Sequence, residues 1–489
     1  MMHLKNRYLA MLFALWSVWC CGQVDQPLSR KQGQQNLPAQ GQVMDTMFMS
    51  FKEFLGYVKQ HHPVAKQGDL LLDEGQATLV RARGGFDPKI EADYARKEFK
   101  GTEYYDELNA VFKIPTYYGV EFKAAVERNE GAFLNTRDNV PLEGLYSAGL
   151  SVNLAQGLLI NERMATLQQA KLFKQQSLAE RDLVVNQILF DASVAYFQWW
   201  RAAREARIYD TFNQNAQFRL RAVVRSYQAG ALAVIDTVEA SIAADSRALS
   251  YEQALLDLRN NRLELSNFIW LNDIPVELRE STFPETELIG QVDATLEIMG
   301  MSLDGFTVQN HPKLVSMNFK IDQLEVERRL KANMLLPRLT IDYNFITPEW
   351  NTLNSVDNAN YKAGVSFSVP LFLRKERGDL QLAKFKLQNA RYDFISQELR
   401  IQTKVSAVFN DLASFERQQR FIDGIVTSSE LMLIAEERKF ELGDSSLFLV
   451  NTREAKLIES NLKQLEITLK WLNAKAKLFN SLAVMPENL

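Results

Sequence analysis

A handful of residue groupings in this chain have types and spacings that could do chemistry. His61 and His62 put two imidazoles side by side, but no Asp, Glu or Cys stands at ligand spacing near them, so a metal site lacks its remaining ligands. The simpler role for the pair is at a helix terminus. Trp199-Trp200 could stack a ligand. Adjacent helix positions point about 100° apart, however, which predicts one buried ring and one interfacial ring. Gly84-Gly85 lacks a phosphate-binding pattern, and no serine–histidine or cysteine–histidine arrangement is present. The expectation is a protein that is not an enzyme, with no cofactor and no metal. Tyr343, Trp350 and Tyr361 form a different group, with the tyrosines on strand-like segments and the tryptophan between them. Aromatics so placed suit a membrane-interface girdle, the alternative for Trp350 being an ordinary surface loop.

The elements that hold these residues are written twice. His62-Pro63 recurs as His311-Pro312, and Pro88-Lys89-Ile90 with Tyr94 recurs as Pro337-Arg338-Leu339 with Tyr343. Tyr146 to Ser151 answers Tyr361 to Ser366, and Ala170, Arg207, Asp210, Arg225 and Gly230 answer Ala383, Arg420, Asp423, Arg438 and Gly443. Each copy mixes a strand-like and a helix-like part, which means two copies of one structural unit. The 489 residues therefore read as one pseudo-symmetric body rather than as several domains.

A formal net charge of −4 gives no reason to expect nucleic acid. Residues 1–22 read as an export signal, with Lys5 and Arg7 ahead of an apolar run and small residues after it. Cleavage after Gly22 removes Cys20 and Cys21, the only cysteines; lipidation of Cys21 is the alternative. Residues 23–47 form a Gln-, Pro- and Gly-rich leader. Beyond the signal no apolar run reaches the roughly 18 residues that a spanning helix needs. An exported chain of this kind is either soluble or crosses a membrane as a β-barrel.

Periodicity favours the barrel. Ile90, Ala92, Tyr94 and Arg96 alternate with Glu91, Asp93, Ala95 and Lys97, and Leu339, Ile341, Tyr343 and Phe345 with Thr340, Asp342 and Asn344. One apolar and one polar face suit a wall between lipid and lumen. Residues 146–154 and 361–369 are the returning strands. Tyr94 to Tyr146 spans 52 positions and Tyr343 to Tyr361 spans 18, so the first copy carries about 34 extra residues. That insert, within about 100–145 and including the strand-like Val120 to Arg128, is either a further hairpin in the wall or a long surface loop.

After each returning strand the composition turns helical. No proline occurs from Leu142 to Ile274 or from Leu371 to Met485. Each copy predicts two long helices broken once, at Gly230 and at Gly443. Residues 161–229 extend about 100 Å as continuous helix, with a counterpart at 375–442. Short helices are expected at 50–60 and 64–83. The organisation is a first repeat at 48–271, a linker at 272–306 with a short helix at 291–299, a second repeat at 307–482 and a tail at 483–489.

The chain resembles the TolC-type outer-membrane efflux proteins. The marks are His-Pro before a helix in both copies, Phe86-Asp87-Pro88, Leu336-Pro337-Arg338-Leu339 and Val369-Pro370-Leu371-Phe372. The turns Tyr227-Gln228-Ala229-Gly230 and Phe440-Glu441-Leu442-Gly443 complete the set. The likeness covers about 51–482. It implies an α+β membrane protein: a homotrimer sharing one outer-membrane β-barrel, four strands per chain with the insert as an extra hairpin or not, continued by a long α-helical barrel in the periplasm. Four strands per chain would give the trimer twelve.

The resemblance also implies a passive exit duct of a tripartite efflux or secretion system, coupled to a periplasmic adaptor protein and an inner-membrane transporter. On this mapping Gly230 and Gly443 sit at the periplasmic tips. Asp236 matches an acidic position after the first turn, whereas Leu449 and Thr452 stand where acids are common in the second copy and Ser445 replaces a basic residue. The family's acidic constriction is therefore not carried over. Asp236, Glu239 and Asp444 are the candidate gate charges, against the plainer reading of solvated helix-face carboxylates. The competing functional class is a soluble periplasmic coiled-coil scaffold or adaptor.

Overall fold

In the computed structural model, residues 47–303, 305–350 and 360–489 are described. The signal, the leader up to residue 46 and both cysteines lie outside them. The first described elements are β1 (Met47–Met49), α1 (Phe51–His61) and α2 (Pro63–Arg83). Ser50 caps α1, its Oγ accepting from the Glu53 amide at 3.1 Å, which is the usual N-cap bond. His62 ends α1 and opens α2, with Pro63 in the first turn, where a missing N–H costs nothing.

Four strands follow: β2 (Lys89–Phe99), β3 (Thr102–Pro115), β4 (Val120–Glu130) and β5 (Leu145–Asn153). Then come the hairpin helices α3 (Glu162–Gln228) and α4 (Val234–Ser266). Asn161 starts α3 by accepting from the Met164 amide at 2.9 Å. No proline or glycine interrupts the helix until Gly230. The linker holds β6 (Trp270–Leu271), β7 (Ile274–Pro275), β8 (Thr282–Pro284) and α5 (Leu288–Thr295). The second copy repeats the pattern with α6 (Pro312–Asn333), β9 (Arg338–Thr347), β10 (Tyr361–Ser368), α7 (Arg374–Glu441) and α8 (Leu447–Leu482).

All the long strands belong to one antiparallel sheet, ordered β10-β9-β5-β4-β3-β2. The insert is thus a hairpin in the wall, and each chain brings six strands rather than four. The reason is legible in the register. Leu108, Ala110, Phe112 and Ile114 of β3 lie opposite Arg128, Val126, Ala124 and Phe122 of β4, so the insert extends the existing apolar face.

The helices form two layers of neighbours. Near the sheet the order is α2, α3, α6, α7; toward the turns it is α4, α3, α8, α7. Where these layers meet, α1, α5 and the ends of α4 and α8 surround a core of Phe51, Phe54, Tyr196, Phe197, Trp199, Trp200 and Phe479. Both Trp199 and Trp200 are buried here, which corrects the expectation of one interfacial ring. Neighbours flank α3 on both sides, so positions 100° apart both find packing partners. Trp200 also lies beneath the Arg204 guanidinium, 5.4 Å from the ring centre.

The linker helix begins and ends earlier than its sequence pattern indicates. Leu288, Val292 and Thr295 bury one face, and Glu297 then turns the chain with a positive φ of 52°. The two-residue turn of Asn272 and Asp273, both at positive φ, makes the β6–β7 hairpin, as a type I′ turn requires.

Candidate functional site

Three places could act: the turn end of the long helices, the joints that splice the helices, and the sheet wall. At the turn end Gly230 (φ 77°) and Gly443 (φ 84°) take the left-handed backbone that L side chains avoid. Both close the same motif. The Gly230 amide donates to the Tyr227 carbonyl and the Ala231 amide to Ser226, each at 2.9 Å. In the second copy Gly443 donates to Phe440 at 3.0 Å and Asp444 to Lys439 at 2.8 Å. These are the paired bonds of a Schellman ending.

The return helices start with complementary halves of a capping box. Asp236 Oδ2 accepts from the Ala233 amide at 3.0 Å, whereas Ser446 Oγ accepts from the Leu449 amide at 3.4 Å. Asp236 therefore has a helix-capping partner, and Leu449 has none to need. Glu239 accepts from Asn451 Nδ2 at 3.2 Å and ties α4 to α8. Asp444 is exposed on the α7–α8 turn.

A cluster that sequence reading missed lies just above these turns. Glu454, 1% exposed, accepts from Arg219 Nη1 at 2.8 Å and from Arg247 Nε at 3.2 Å. Arg219 also reaches Glu437 at 3.0 Å. Ser445, at the position where the resemblance led one to expect a base, donates to Glu436 Oε1 at 2.6 Å. Both helical hairpins of one chain are thus joined through buried charge. The available signal was Glu454 in the apolar row of Leu447, Val450 and Leu457 on α8.

The His-Pro motif proves to be a splice used twice. His62 Nδ1 accepts from the Val64 amide at 3.2 Å and His311 Nδ1 from the Lys313 amide at 3.1 Å. Backbone groups of Asn267 and of Ser481, at the C-terminal ends of α4 and α8, lie against the two rings and favour their protonated forms. Each ring thereby joins the end of one helix to the start of another. Burial, the largest cause in both, lowers the pKa of His62 and pushes that of His311 down to about 4.

The sheet separates its faces, with Arg96 and Arg128 as exceptions on the apolar side and Val111 on the polar side. On one side lie Ile90, Ala92 and Tyr94; Leu108, Ala110, Phe112 and Ile114; Tyr146, Ala148, Leu150 and Val152; and Leu339, Ile341, Tyr343 and Phe345, joined by Tyr361, Ala363, Val365 and Phe367. Most of the large members are solvent-exposed in the single chain. The opposite face carries cross-strand ion pairs: Lys113 with Glu91, Lys123 with Asp342 and Lys362 with Glu127. The Tyr343 and Tyr361 rings stack on the apolar face, 5.7 Å apart, and Trp350 is exposed just beyond the end of β9. Among the described residues no group of three or more His, Cys, Asp and Glu side chains could hold a metal ion. No helix among them is long and apolar enough to cross a membrane.

The family model of outer membrane efflux proteins matches residues 307–484. No curated protein sequence matches the chain. Among solved structures it is similar to the Campylobacter jejuni CmeC outer membrane channel, at 13% identity and a TM-score of 0.63, covering 94% of each chain. It is also similar to the Neisseria gonorrhoeae MtrE outer membrane channel in its open state, at 13% identity and 0.61, covering 94% of this chain and 97% of that one. A third similar structure is the Vibrio cholerae outer membrane protein VceC, at 12% identity and 0.60, covering 88% and 96%. At such identities the likeness establishes the fold.

Proposed function

From the match of residues 307–484 to the family model of outer membrane efflux proteins, together with the fold, we propose that the chain is a member of that family and the outer-membrane channel of a tripartite export system. It works as a passive duct loaded by a periplasmic adaptor and an inner-membrane pump. The observation that carries this reading is that the sheet and the helical layer end on the same two sides. One side presents β2, α2 and α4, and the other presents β10 and α7.

Each edge is unfinished. All residues of β2 and of β10 are exposed, and long bare strands are a liability unless something pairs with them. Helix α4 exposes Ile235, Ile242, Leu249, Leu256 and Leu263, a strict seven-residue row that suits a coiled-coil seam. Helix α7 exposes Phe385, Tyr392 and Leu399 at the same spacing. Strand directions alternate through the meander, so β2 of one copy and β10 of the next would run antiparallel. A head-to-tail ring then closes both layers at once. The family resemblance puts the number of copies at three.

In that ring the apolar sheet face meets lipid, with Tyr343, Trp350 and Tyr361 as part of its aromatic belt, and the ion-paired face lines the lumen. The turns at Gly230 and Gly443 form the periplasmic tips that meet the adaptor. Asp236, Glu239 and Asp444 supply negative charge near the mouth, with Glu454 and its two arginines holding each pair of hairpins together behind it. The two repeats are sectors of one wall, and residues 272–306 bridge them. Membrane fractionation tests the reading against a soluble scaffold. A channel pellets through carbonate washing and runs as a heat-modifiable trimer, whereas release into the carbonate supernatant as a monomer refutes it.

A further inference from the structure

The β3–β4 hairpin has no counterpart in the second copy, and its contacts make it wall rather than loop. Its strands pair with each other and with β2 and β5 along most of their length. On the polar face Lys113 of β3 pairs with Glu91 of β2. Lys123 of β4 passes over Gly149 of β5 to reach Asp342 of β9 at 3.1 Å. A Cβ on Gly149 would stand 2.0 Å from the Tyr343 carbonyl oxygen, so only glycine leaves the β5–β9 pairing intact beneath that span. On the apolar face the hairpin adds Leu108, Phe112, Ile114 and Phe122, all exposed.

We propose that this hairpin sets the width of the outer bore. The inference rests on the channel reading above: three copies of the six-stranded sheet close eighteen strands. Strands about 4.8 Å apart and tilted by about 40° place eighteen on a ring about 36 Å across, and twelve on one about 24 Å across. Side chains take about 5 Å from each side, leaving a bore of about 26 Å instead of about 14 Å. Four helices per copy make twelve in the helical ring. At an axis spacing of about 9.5 Å this ring clears about 26 Å as well. The hairpin therefore brings the sheet bore up to that of the helical tunnel. With lumen charges paired across strands, the cargo it fits is bulky and polar-surfaced. A helical hairpin of polypeptide, two helices of about 10–12 Å side by side, is of that class.

The test uses the full chain in intact cells with Ser366→Cys, on the polar face of β10 near its helical end, labelled from outside by polymer-linked maleimides of graded size. A reagent of about 10 Å hydrodynamic radius is expected to label within about threefold of the rate of a small maleimide. Deleting residues 101–130, so that β2 runs through the 131–144 segment into β5, is expected to slow that reagent by about 100-fold while the small one still reacts. A wild-type limit near 7 Å radius, or an assembled deletion variant that still admits 10 Å, overturns the proposal. If the deletion variant fails to assemble, the wild-type size limit alone decides. A chain that forms no trimer refutes the channel reading itself, an outcome distinct from a narrow trimer.

Discussion

Acid should loosen the splice at His311 before it affects the long helices. The ring is buried, its Nδ1 is committed as an acceptor from the Lys313 amide, and Lys404 and Lys313 add unfavourable charge. The folded state therefore holds the neutral form, with a pKa of about 4 against an ordinary 6.5. Because the folded value lies below the unfolded one, the contribution is complete above pH 6.5. It declines as pH falls from 6.5 and is gone below about 4. At about 1.4 kcal/mol per decade the whole effect is about 3 kcal/mol, of which about 2 kcal/mol is lost at pH 5. Protonation also removes the acceptor that caps α6. His62 moves in the same direction, its pKa likewise lowered by burial.

Hydrogen–deuterium exchange on the detergent-solubilised assembly reads this directly. Peptides spanning 307–316 and 476–484 should lose about 30-fold of their protection between pH 7.5 and pH 5, after correction for intrinsic rates, while peptides of mid-α7 stay constant. His311→Asn keeps an N-cap acceptor but cannot titrate, so its protection should be uniformly lower and flat with pH. A His311 titration midpoint at or above 6.5 would refute the reasoning. So would a His311→Asn variant with the pH dependence of the wild type.

Four further outcomes are expected. Glu454→Ala takes from the part-buried Arg219 and Arg247 the carboxylate they share, leaves Arg219 its pair with Glu437, and should destabilise the turn end by about 1–3 kcal/mol, measured as exchange in 215–250 and 430–460. Gly443→Ala forces a Cβ into positive φ at about 1–2 kcal/mol, confined in exchange to the α7–α8 turn. Gly149→Ala drives the β5–β9 pair apart and should abolish the heat-resistant trimer on gels. Phe112→Arg, on the lipid side of β3, should cost about 2–4 kcal/mol of assembly, whereas Asn109→Arg on the lumenal side is tolerated. Equal effects of these two would refute the facing of the sheet.

Much of this fold is legible in the sequence because its signals are local. The start and end of α3 follow from Asn161, a proline-free run and Gly230, each acting within a few residues. The turns repeat because Gly230 and Gly443 meet one local demand for positive φ. What escapes is non-local. Arg219 and Glu454 lie 235 positions apart, and nothing near either residue announces the other. Strand β3 is weakly patterned, because Val111 interrupts the polar face opposite Leu108, Ala110 and Phe112. Its place becomes evident only when β2 and β4 flank it. The tips show the converse limit: Asp236 and Leu449 look like a charge gained or lost, yet the structure pairs Asp236 with an amide and gives the second copy Ser446 for the same task.

The unequal copies obey a rule of closure. In an antiparallel meander each added strand reverses the direction of travel. An insert of one strand would leave β5 pointing away from the helices and would make the two sheet edges parallel. An insert of two restores both the direction into α3 and the antiparallel match between β2 and β10. The sheet can therefore widen only by whole hairpins, and it can do so in one copy without disturbing the other. The helices have no such freedom in the proposed ring, where α3 with α4 and α7 with α8 would share one circumference and end together at the turns of Gly230 and Gly443. That is why the copies match residue for residue from Ala170 to Gly230 and Ala383 to Gly443 in length, while the strand region differs. On the channel reading, width was free to change only in the sheet, where the wall would meet lipid.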